Sequence, residues 1–316
     1  HCSVRRQRQM CIRDRLDILA NNNWERPIYF TGGSYEESEY IWMKDYLQLD
    51  GLVHKLVPIK TSIENNPYEM GRIDSDLMYD IVKKWSWGNS ESDEIYHDPE
   101  TRKNSISFRS NLSRLSEKLI SEGEYEKAEE ILDLAFSKMP IDYYGYYSLW
   151  TPLVKSYYDI GKSEKVKEIV QKLSFKYSDR LSYFSSLEIF NQYDVGEEII
   201  SDIERFRNLI ETIQESGERE ILADQIKSFI SSSEQFNYIY GEYDYYISLS
   251  NFLISLLELN EVEYSMSVID KIEEQLIRRV SVFSNIDEDE QVYYLEGITS
   301  DINQYSRLIN QIEVYD

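Results

Sequence analysis

The chain has 316 residues, with 34 Lys and Arg against 58 Asp and Glu, and a formal net charge of −24. This length is enough to bury a core, and an aromatic content of 14 % excludes a disordered chain. The negative charge disfavours binding to nucleic acid or anionic lipid over the general surface. A mean hydropathy of −0.53 and the absence of a long apolar run predict a water-soluble chain with no direct membrane insertion.

The first 15 residues differ from the rest of the chain in composition. They carry five arginines against one acid, and both cysteines, Cys2 and Cys11. A natural basic arm would indicate attachment to nucleic acid or membrane. Residues 5–15 resemble, codon for codon, the in-frame translation of a transposase sequencing-library adaptor. We therefore expect residues 1–15 to be a non-native, adaptor-derived leader, and the natural chain to begin upstream of Leu16.

Residues 16–100 predict a small α/β juxtamembrane segment. Arg26–Thr31 has the β-branched and aromatic content of a short strand, and Leu52–Ile59 predicts a second strand. A helix expected over Glu36–Leu47 lies between them, which favours a parallel or mixed sheet. A further helix is predicted by three apolar residues at helical spacing: Leu77, Ile81 and Trp85.

From residue 101 to the end the hydrophobic period is helical, and 109–140 matches the tetratricopeptide pattern. Ala128 and Ala135 are small enough to let two helices of a hairpin approach closely. Gly123 is placed to end the first helix in a left-handed conformation. The predicted fold class is mainly α: a tetratricopeptide-like helical-hairpin superhelix over 101–316, preceded by the small α/β segment.

A second, degenerate repeat begins near Tyr147, with its turn at Gly161, and large Val166 and Leu173 replace the small residues. Its hairpin is expected to be more splayed than the first. Beyond it, a clean helical stripe is formed by Ile199, Ile203, Phe206, Ile210 and Ile213. Three more helices are expected over 243–259, 261–282 and 290–314, which we interpret as repeat-like hairpins because the repeat template does not fit them.

Clusters of tyrosine precede two of the predicted helices, one at 143–147 and one at 238–246. Tyrosine packs at helix contacts while its hydroxyl stays hydrated, so both clusters are explained by packing alone. The functional alternative is a concave surface that binds a protein or peptide partner, or stacks on a glycan. The candidate interaction surface comprises Tyr143, Tyr144, Tyr146, Trp150 and Tyr157.

The sequence predicts no catalytic residue, no cofactor site and no metal site. His54 in the second strand is interpreted as a structural histidine, and His97 as a residue that orders a turn. Gly32–Ser34 lacks the motif of a phosphate loop, and its acidic neighbours oppose an anion. The acidic run 287–290 lacks the glycine of a calcium loop and predicts a helix-capping turn.

Several segments carry a family resemblance: Leu16–Phe30, Tyr46–Leu52, Leu56–Ile59, Trp87–Asn89 and Tyr96–Leu115. They resemble the C-terminal part of a family of multispanning membrane proteins labelled as a domain of unknown function, and the last two resemble its bacterial members. That family includes relatives of the eukaryotic protein O-mannosyltransferases with C-terminal tetratricopeptide repeats. The resemblance implies that a preceding bundle of membrane helices carries glycosyl transfer, so no catalytic residue transfers to these positions.

Three hypotheses follow from these observations. The first is a noncatalytic, extracytoplasmic C-terminal region, periplasmic and tethered by a missing N-terminal membrane domain, that binds or positions an acceptor or partner protein. The alternative is a stand-alone tetratricopeptide-repeat scaffold for protein interaction. The third, a self-contained enzyme in the α/β segment, lacks a nucleophile, a metal cluster or a cofactor loop. The open reading frame upstream of Leu16 distinguishes them, because the first requires apolar segments of about 20 residues.

Overall fold

The computed structural model describes residues 13–31, 41–61 and 70–312. The chain is mainly helical with a small three-stranded sheet near its N-terminus, which confirms the predicted fold class. Contacts divide it into two compact units, unit 1 (His1–Gly161) and unit 2 (Lys162–Asp316). This division falls well after residue 100, where the sequence changes character.

The sheet is formed by β1 (Tyr29–Thr31), β2 (Leu47–Asp50) and β3 (Val53–Leu56) in the order β1-β3-β2. Both strand pairs are antiparallel, so the expectation of a parallel or mixed sheet was wrong. The reason is an additional strand, β2, which forms a hairpin with β3. Gly51, at a φ of +71°, permits the tight two-residue turn between them.

The helix expected over Glu36–Leu47 also needs correction. Its described part, Ile41–Tyr46, is a 3-10 helix, and Leu47 is a fully buried residue of β2. The earlier positions of that prediction, and the glycine pair at 32–33, lie outside the described residues. Helix α1, whose described part covers 13–22, precedes the sheet.

Helix α2 (Ser75–Lys83) is confirmed, but it buries Met78 and Val82 rather than the predicted Leu77. Its N-terminus is capped by Asp74, whose side chain accepts from the backbone N–H of Leu77 at 3.2 Å.

Helix α3 (Pro99–Ser121) packs against α2 and is hydrogen-bonded to the sheet region. Arg114 on α3 donates to the carbonyls of Met70 at 3.0 Å and Gly71 at 2.7 Å. Asn111 donates to the carbonyl of Gly51 at 2.8 Å. These bonds satisfy loop carbonyls that no strand pairs, and they join the α/β segment to the first helical hairpin.

The first predicted repeat is an α-helical hairpin in the structure, formed by α3 and α4 (Tyr125–Lys138). Ala128 and Ala135 are fully buried, as close approach of the two helices requires. Gly123 lies at a φ of +81° in the turn between the helices, a conformation that favours glycine.

Unit 1 continues through a short helix, α5 (Ile141–Tyr144), and a 3-10 helix, Tyr147–Trp150. Helix α6 (Thr151–Asp159) then packs against both α3 and α4. The second predicted repeat has its first helix in unit 1 and its second in unit 2, so its hairpin packing stays a prediction.

Unit 2 contains α7 (Ser163–Ser185), α8 (Ile189–Asp194), α9 (Gly196–Glu215), α10 (Leu222–Ser233), α11 (Asn237–Tyr240), α12 (Glu242–Ser248), α13 (Ser250–Glu258), α14 (Val262–Ser284) and α15 (Glu288–Ile312). All five residues of the predicted stripe on α9 are buried, which confirms that prediction. The single helix expected over 243–259 is two helices, α12 and α13, which meet at Leu249.

Candidate interaction site

The connection between α4 and α6 contains a backbone turn that exposes a tyrosine. Gly145 has a φ of +62°, and Tyr146 follows with φ of +47° and ψ of +54° in the left-handed region. A side chain other than glycine costs about 1–2 kcal/mol in this conformation, so the turn needs external support. Tyr146 is 47 % exposed, although most of its neighbours are at least half-buried.

Arg109 of α3 supplies that support. Its Nη1 donates to the carbonyl of Gly145 at 2.8 Å and, more weakly, to that of Tyr146 at 3.4 Å. The guanidinium also lies over the ring of Trp150, 5.0 Å from the centroid, and its Nη2 donates to Ser105 Oγ at 2.7 Å. The whole side chain is buried, and no carboxylate among the described residues pairs with it.

The buried guanidinium of Arg109 stays charged although the partners described above are neutral. Burial lowers the pKa of its guanidinium to about 10, so the group stays protonated at neutral pH. Carbonyl oxygens and the negative face of an indole ring replace part of the hydration that a buried cation loses. The arrangement therefore fixes the backbone at Gly145 and Tyr146 without neutralising the cation.

The structure separates the five residues of the predicted surface. Tyr144, Trp150 and Tyr157 are buried, which makes them core residues and removes them from direct contact with a partner. The Tyr144 hydroxyl donates to the carbonyl of Ser90 at 2.9 Å, and the ring of Trp150 stacks on another aromatic ring of the hairpin. The surface prediction is thereby narrowed to half-buried Tyr143 and exposed Tyr146, and it stays a prediction.

Tyr157 has a structural position between helices. Its hydroxyl donates to Asp133 Oδ1 of α4 at 2.7 Å, and burial together with this carboxylate raises the pKa of the phenol. The second tyrosine cluster follows the same rule, since Tyr243, Tyr245 and Tyr246 are all buried. The burial of these four tyrosines agrees with the interpretation that they pack at helix contacts.

His97 packs against the two tyrosines that directly precede the turn, Tyr143 and Tyr144. Its ring stacks on Tyr143 with a centroid distance of 5.6 Å and an interplanar angle of 14°, and it lies 4.9 Å from the ring of Tyr144. Its Nε2 is 3.2 Å from the carbonyl of Ser92, so it orders the loop before α3 as predicted. Tyr143 is thus oriented by a neighbour from a different part of unit 1.

A pocket of about 190 Å³ that the sequence analysis missed also reaches Tyr144. The residues that line this pocket include polar Asn104 and Thr101. They also include aromatic Phe108 and Trp87, whose rings lie 5.6 Å apart. Thr101, Asn104 and Phe108 are three and four residues apart on α3, so helical periodicity was the signal that could have identified them. This mixture of aromatic and polar groups suits one anchoring side chain of a partner.

His54 lies away from this site, in β3. It is mostly buried, its Nε2 is 3.2 Å from the carbonyl of Met70, and burial lowers the pKa of the imidazole. It therefore has the structural position that the sequence suggests. Among the described residues there is no cluster of three or more His, Cys, Asp or Glu side chains that could hold a metal ion.

The comparisons with known proteins give one match. A family model described as TMEM260-associated domain 2 matches residues 5–77, less than a quarter of the chain, which include the whole sheet. TMEM260 is an O-mannosyltransferase-like membrane protein, so the matched segment is similar to part of a membrane-protein family. The matched range also includes residues 5–15, and their assignment to an adaptor stays a prediction. No curated protein and no solved structure matches the chain.

None of the helices in the described ranges is both long enough and apolar enough to span a bilayer.

Proposed function

We propose that the chain is a noncatalytic, extracytoplasmic, periplasmic region of a membrane glycosyltransferase-like protein related to the protein O-mannosyltransferases. In this proposal it binds or positions an acceptor or partner protein. The similarity of residues 5–77 to TMEM260-associated domain 2 supports the relation to a membrane protein. The tetratricopeptide-like hairpin of α3 and α4 supports a role in protein binding.

The observation that carries the binding role is the supported turn. A left-handed, exposed tyrosine is held in place by a buried arginine at 2.8 Å from the preceding carbonyl. Exposed tyrosines on rigid backbone are frequent hot spots of protein interfaces, because little entropy is lost when they bind. The neighbouring pocket of about 190 Å³ offers room for one side chain of the partner.

The test starts from peptides selected for binding to the chain from a random-peptide display library. The affinity of a selected peptide is measured by fluorescence anisotropy for the wild type, for Tyr146→Ala and for the matched control Tyr125→Ala. Tyr125 is similarly exposed in unit 1 but lies at the start of α4. We expect Tyr146→Ala to weaken binding about tenfold and the control to leave it unchanged. Equal affinities for all three proteins would contradict the proposal.

The noncatalytic part of the proposal has a separate test. The chain is incubated with a lipid-linked mannose donor and acceptor peptides, and glycosyl transfer is measured. We expect no turnover, and measurable turnover would overturn this part of the proposal alone.

The stand-alone tetratricopeptide scaffold remains the alternative. The buried Ala128 and Ala135 of the hairpin support it as strongly as they support the first proposal. Both therefore predict the same peptide-binding result. Sequencing the source DNA upstream of Leu16 separates them, since apolar segments of about 20 residues belong only to the membrane-tethered protein.

A further inference from the structure

Unit 2 contains an internal repeat that is much longer than a tetratricopeptide unit. Residues 163–213 and 262–312 align without a gap at a spacing of 99 positions, and 15 of the aligned residues are identical. The alignment places α7 on α14, which both have 23 residues, and α9 on α15. The 15 identities and the equal lengths of α7 and α14 indicate that the two pairs are copies of one structural unit.

An ion pair with a buried carboxylate and a partly exposed arginine recurs at equivalent positions of the two copies. Arg180 Nε lies 2.6 Å from Asp202 Oδ2 and joins α7 to α9. Arg279 Nε lies 2.9 Å from Asp301 Oδ2 and joins α14 to α15. Both carboxylates are buried, so each fixes the position of its helix pair.

In each copy, a glutamine side chain donates a hydrogen bond to a backbone carbonyl of the loop between the two long helices. Gln192 Nε2 donates to the carbonyl of Leu187 at 2.7 Å, and Gln291 Nε2 donates to that of Ile286 at 3.1 Å. These residues are again 99 positions apart. The two helix pairs are therefore equivalent in structure as well as in sequence.

The copies differ in what covers one face of the second helix. On α9, this face is buried at all five positions, and α10 packs against α9. On α15 none of the equivalent positions is buried: Ile203 is 2 % exposed, whereas its counterpart Ile302 is 44 % exposed. A position beside this face is buried in both copies, at Leu209 and at Leu308. We call these five positions of α15 uncovered because none is fully buried: Ile302 is exposed, and Ile298, Tyr305, Ile309 and Ile312 are half-buried.

The first helix of each copy shows the same difference. Ser178 of α7 forms hydrogen bonds with Ser228 at 3.3 Å and Ser232 at 3.0 Å, both on α10. Its counterpart on α14 is Ile277, which is 61 % exposed. Lys167, ion-paired with Glu220 just before α10, corresponds to Met266, which is also exposed. The second copy is thus more apolar than the first where it is uncovered.

We propose that this α14–α15 face, formed by the five uncovered positions on α15 together with Met266 and Ile277, binds an amphipathic α-helix of a partner protein. The occupant is a helix because α10, a helix, covers the equivalent face of α7 and α9. It must be more apolar than α10, with aliphatic side chains where α10 has serines, because Ile277 replaces Ser178. A second copy of the chain is disfavoured by a net charge of −24 on each copy.

The probe is a fluorescein-labelled peptide of residues 218–236 that carries Glu220→Leu, Ser228→Leu and Ser232→Leu. Its binding to the full chain is measured by fluorescence anisotropy at 25 °C. We expect saturable binding that weakens at least about tenfold in Ile277→Lys and in Ile302→Lys. The matched control is Val292→Lys, since Val292 and its counterpart Tyr193 are both exposed, including in the copy that α10 covers. The control is expected to bind the peptide as the wild type does.

The unmodified peptide of residues 218–236 serves as a second comparison. We expect it to bind more weakly than the leucine peptide, because its Ser228, Ser232 and Glu220 meet apolar side chains. Absence of binding by the leucine peptide, or equal binding to wild type and Ile302→Lys, would overturn the proposal. A stable dimer in light scattering that Ile302→Lys dissociates would overturn it too, because a second copy would then occupy the face. This proposal does not depend on the role of Tyr146.

Discussion

At the scale of single residues, Arg109 is the side chain with the most structural consequence. Arg109 is a buried cation that has no carboxylate partner among the described residues. Backbone carbonyls and the face of an indole ring compensate here for the lost hydration. The carbonyl of Gly145 that it binds belongs to a left-handed backbone turn. One side chain of α3 therefore supports the backbone turn in which Tyr146 is exposed.

Replacing Arg109 with Met is expected to lower the free energy of unfolding by about 2–4 kcal/mol, because the carbonyls of Gly145 and Tyr146 lose a charged donor. Urea denaturation followed by circular dichroism measures the effect. The control is Lys103→Met, an exposed position on the same helix. A loss within 0.5 kcal/mol, which is the range of ordinary surface substitutions, would show that the guanidinium does not support the turn.

His54 makes stability depend on pH. Burial lowers the pKa of its imidazole in the folded chain below the ordinary value of 6.5, while Met70 opposes this shift and Arg114 adds to it. The unfolded chain therefore binds the proton more readily, so this contribution to stability is present above pH 6.5 and falls as the pH decreases below it.

We expect the urea midpoint of the wild type to fall more between pH 7.5 and pH 5.5 than that of His54→Gln. Glutamine keeps a donor for the Met70 carbonyl but has no proton to gain. Comparing the change with pH, and not the absolute midpoint, separates titration from any loss of packing. Equal changes in the two proteins would mean that His54 does not titrate differently in the folded and unfolded chains.

At the scale of helices, a buried aspartate joins the two helices of each equivalent pair in unit 2 through an ion pair with an arginine. Asp202 accepts from Arg180 and from Arg205, at 2.6 Å and 3.2 Å. In the described residues Asp301 is ion-paired with Arg279, and burial raises the pKa of Asp301 despite that arginine. Arg205 lies on α9, as Asp202 does, so the arginine that joins the two helices is Arg180 in the first pair and Arg279 in the second. Asp202 thus has one more arginine partner than Asp301.

This difference predicts the outcome of equivalent substitutions. Asp202→Asn is expected to lower the free energy of unfolding by about 2 kcal/mol, and Asp301→Asn by about 1 kcal/mol, because Asp202 loses two charged partners and Asp301 loses one. Guanidinium denaturation of both variants measures the two losses. If Asp301→Asn lowered the free energy of unfolding more than Asp202→Asn, the number of arginine partners would not explain what each aspartate contributes to stability.

At the scale of the whole molecule, local patterns were predictable and distant contacts were not. The hairpin of α3 and α4 follows from Gly123 and small residues at fixed spacing, and the stripe on α9 follows from helical period. The strand β2 was missed because four residues directly after a helical pattern carry too little alternation. Burial of Trp150 was missed because its ring contacts, Arg109 and Phe136, lie upstream in the sequence on two other helices.

The long repeat explains why the later helices resisted interpretation. A template of about 34 residues describes one hairpin, whereas the equivalent units in unit 2 recur every 99 positions. The match to a TMEM260-associated domain covers only the N-terminal part and gives no help there. Contacts that recur at that spacing, such as Arg180 with Asp202 and Arg279 with Asp301, reveal what periodicity alone did not.

The central claim is that this chain binds a partner protein through the turn at Tyr146. Replacing Tyr146 with photoreactive benzoylphenylalanine and irradiating the complex with a selected peptide tests it most directly, with the same replacement at Tyr125 as the control. We expect a peptide crosslink at position 146, mapped by mass spectrometry, and none at position 125. A crosslink at position 125 without one at position 146 would contradict it.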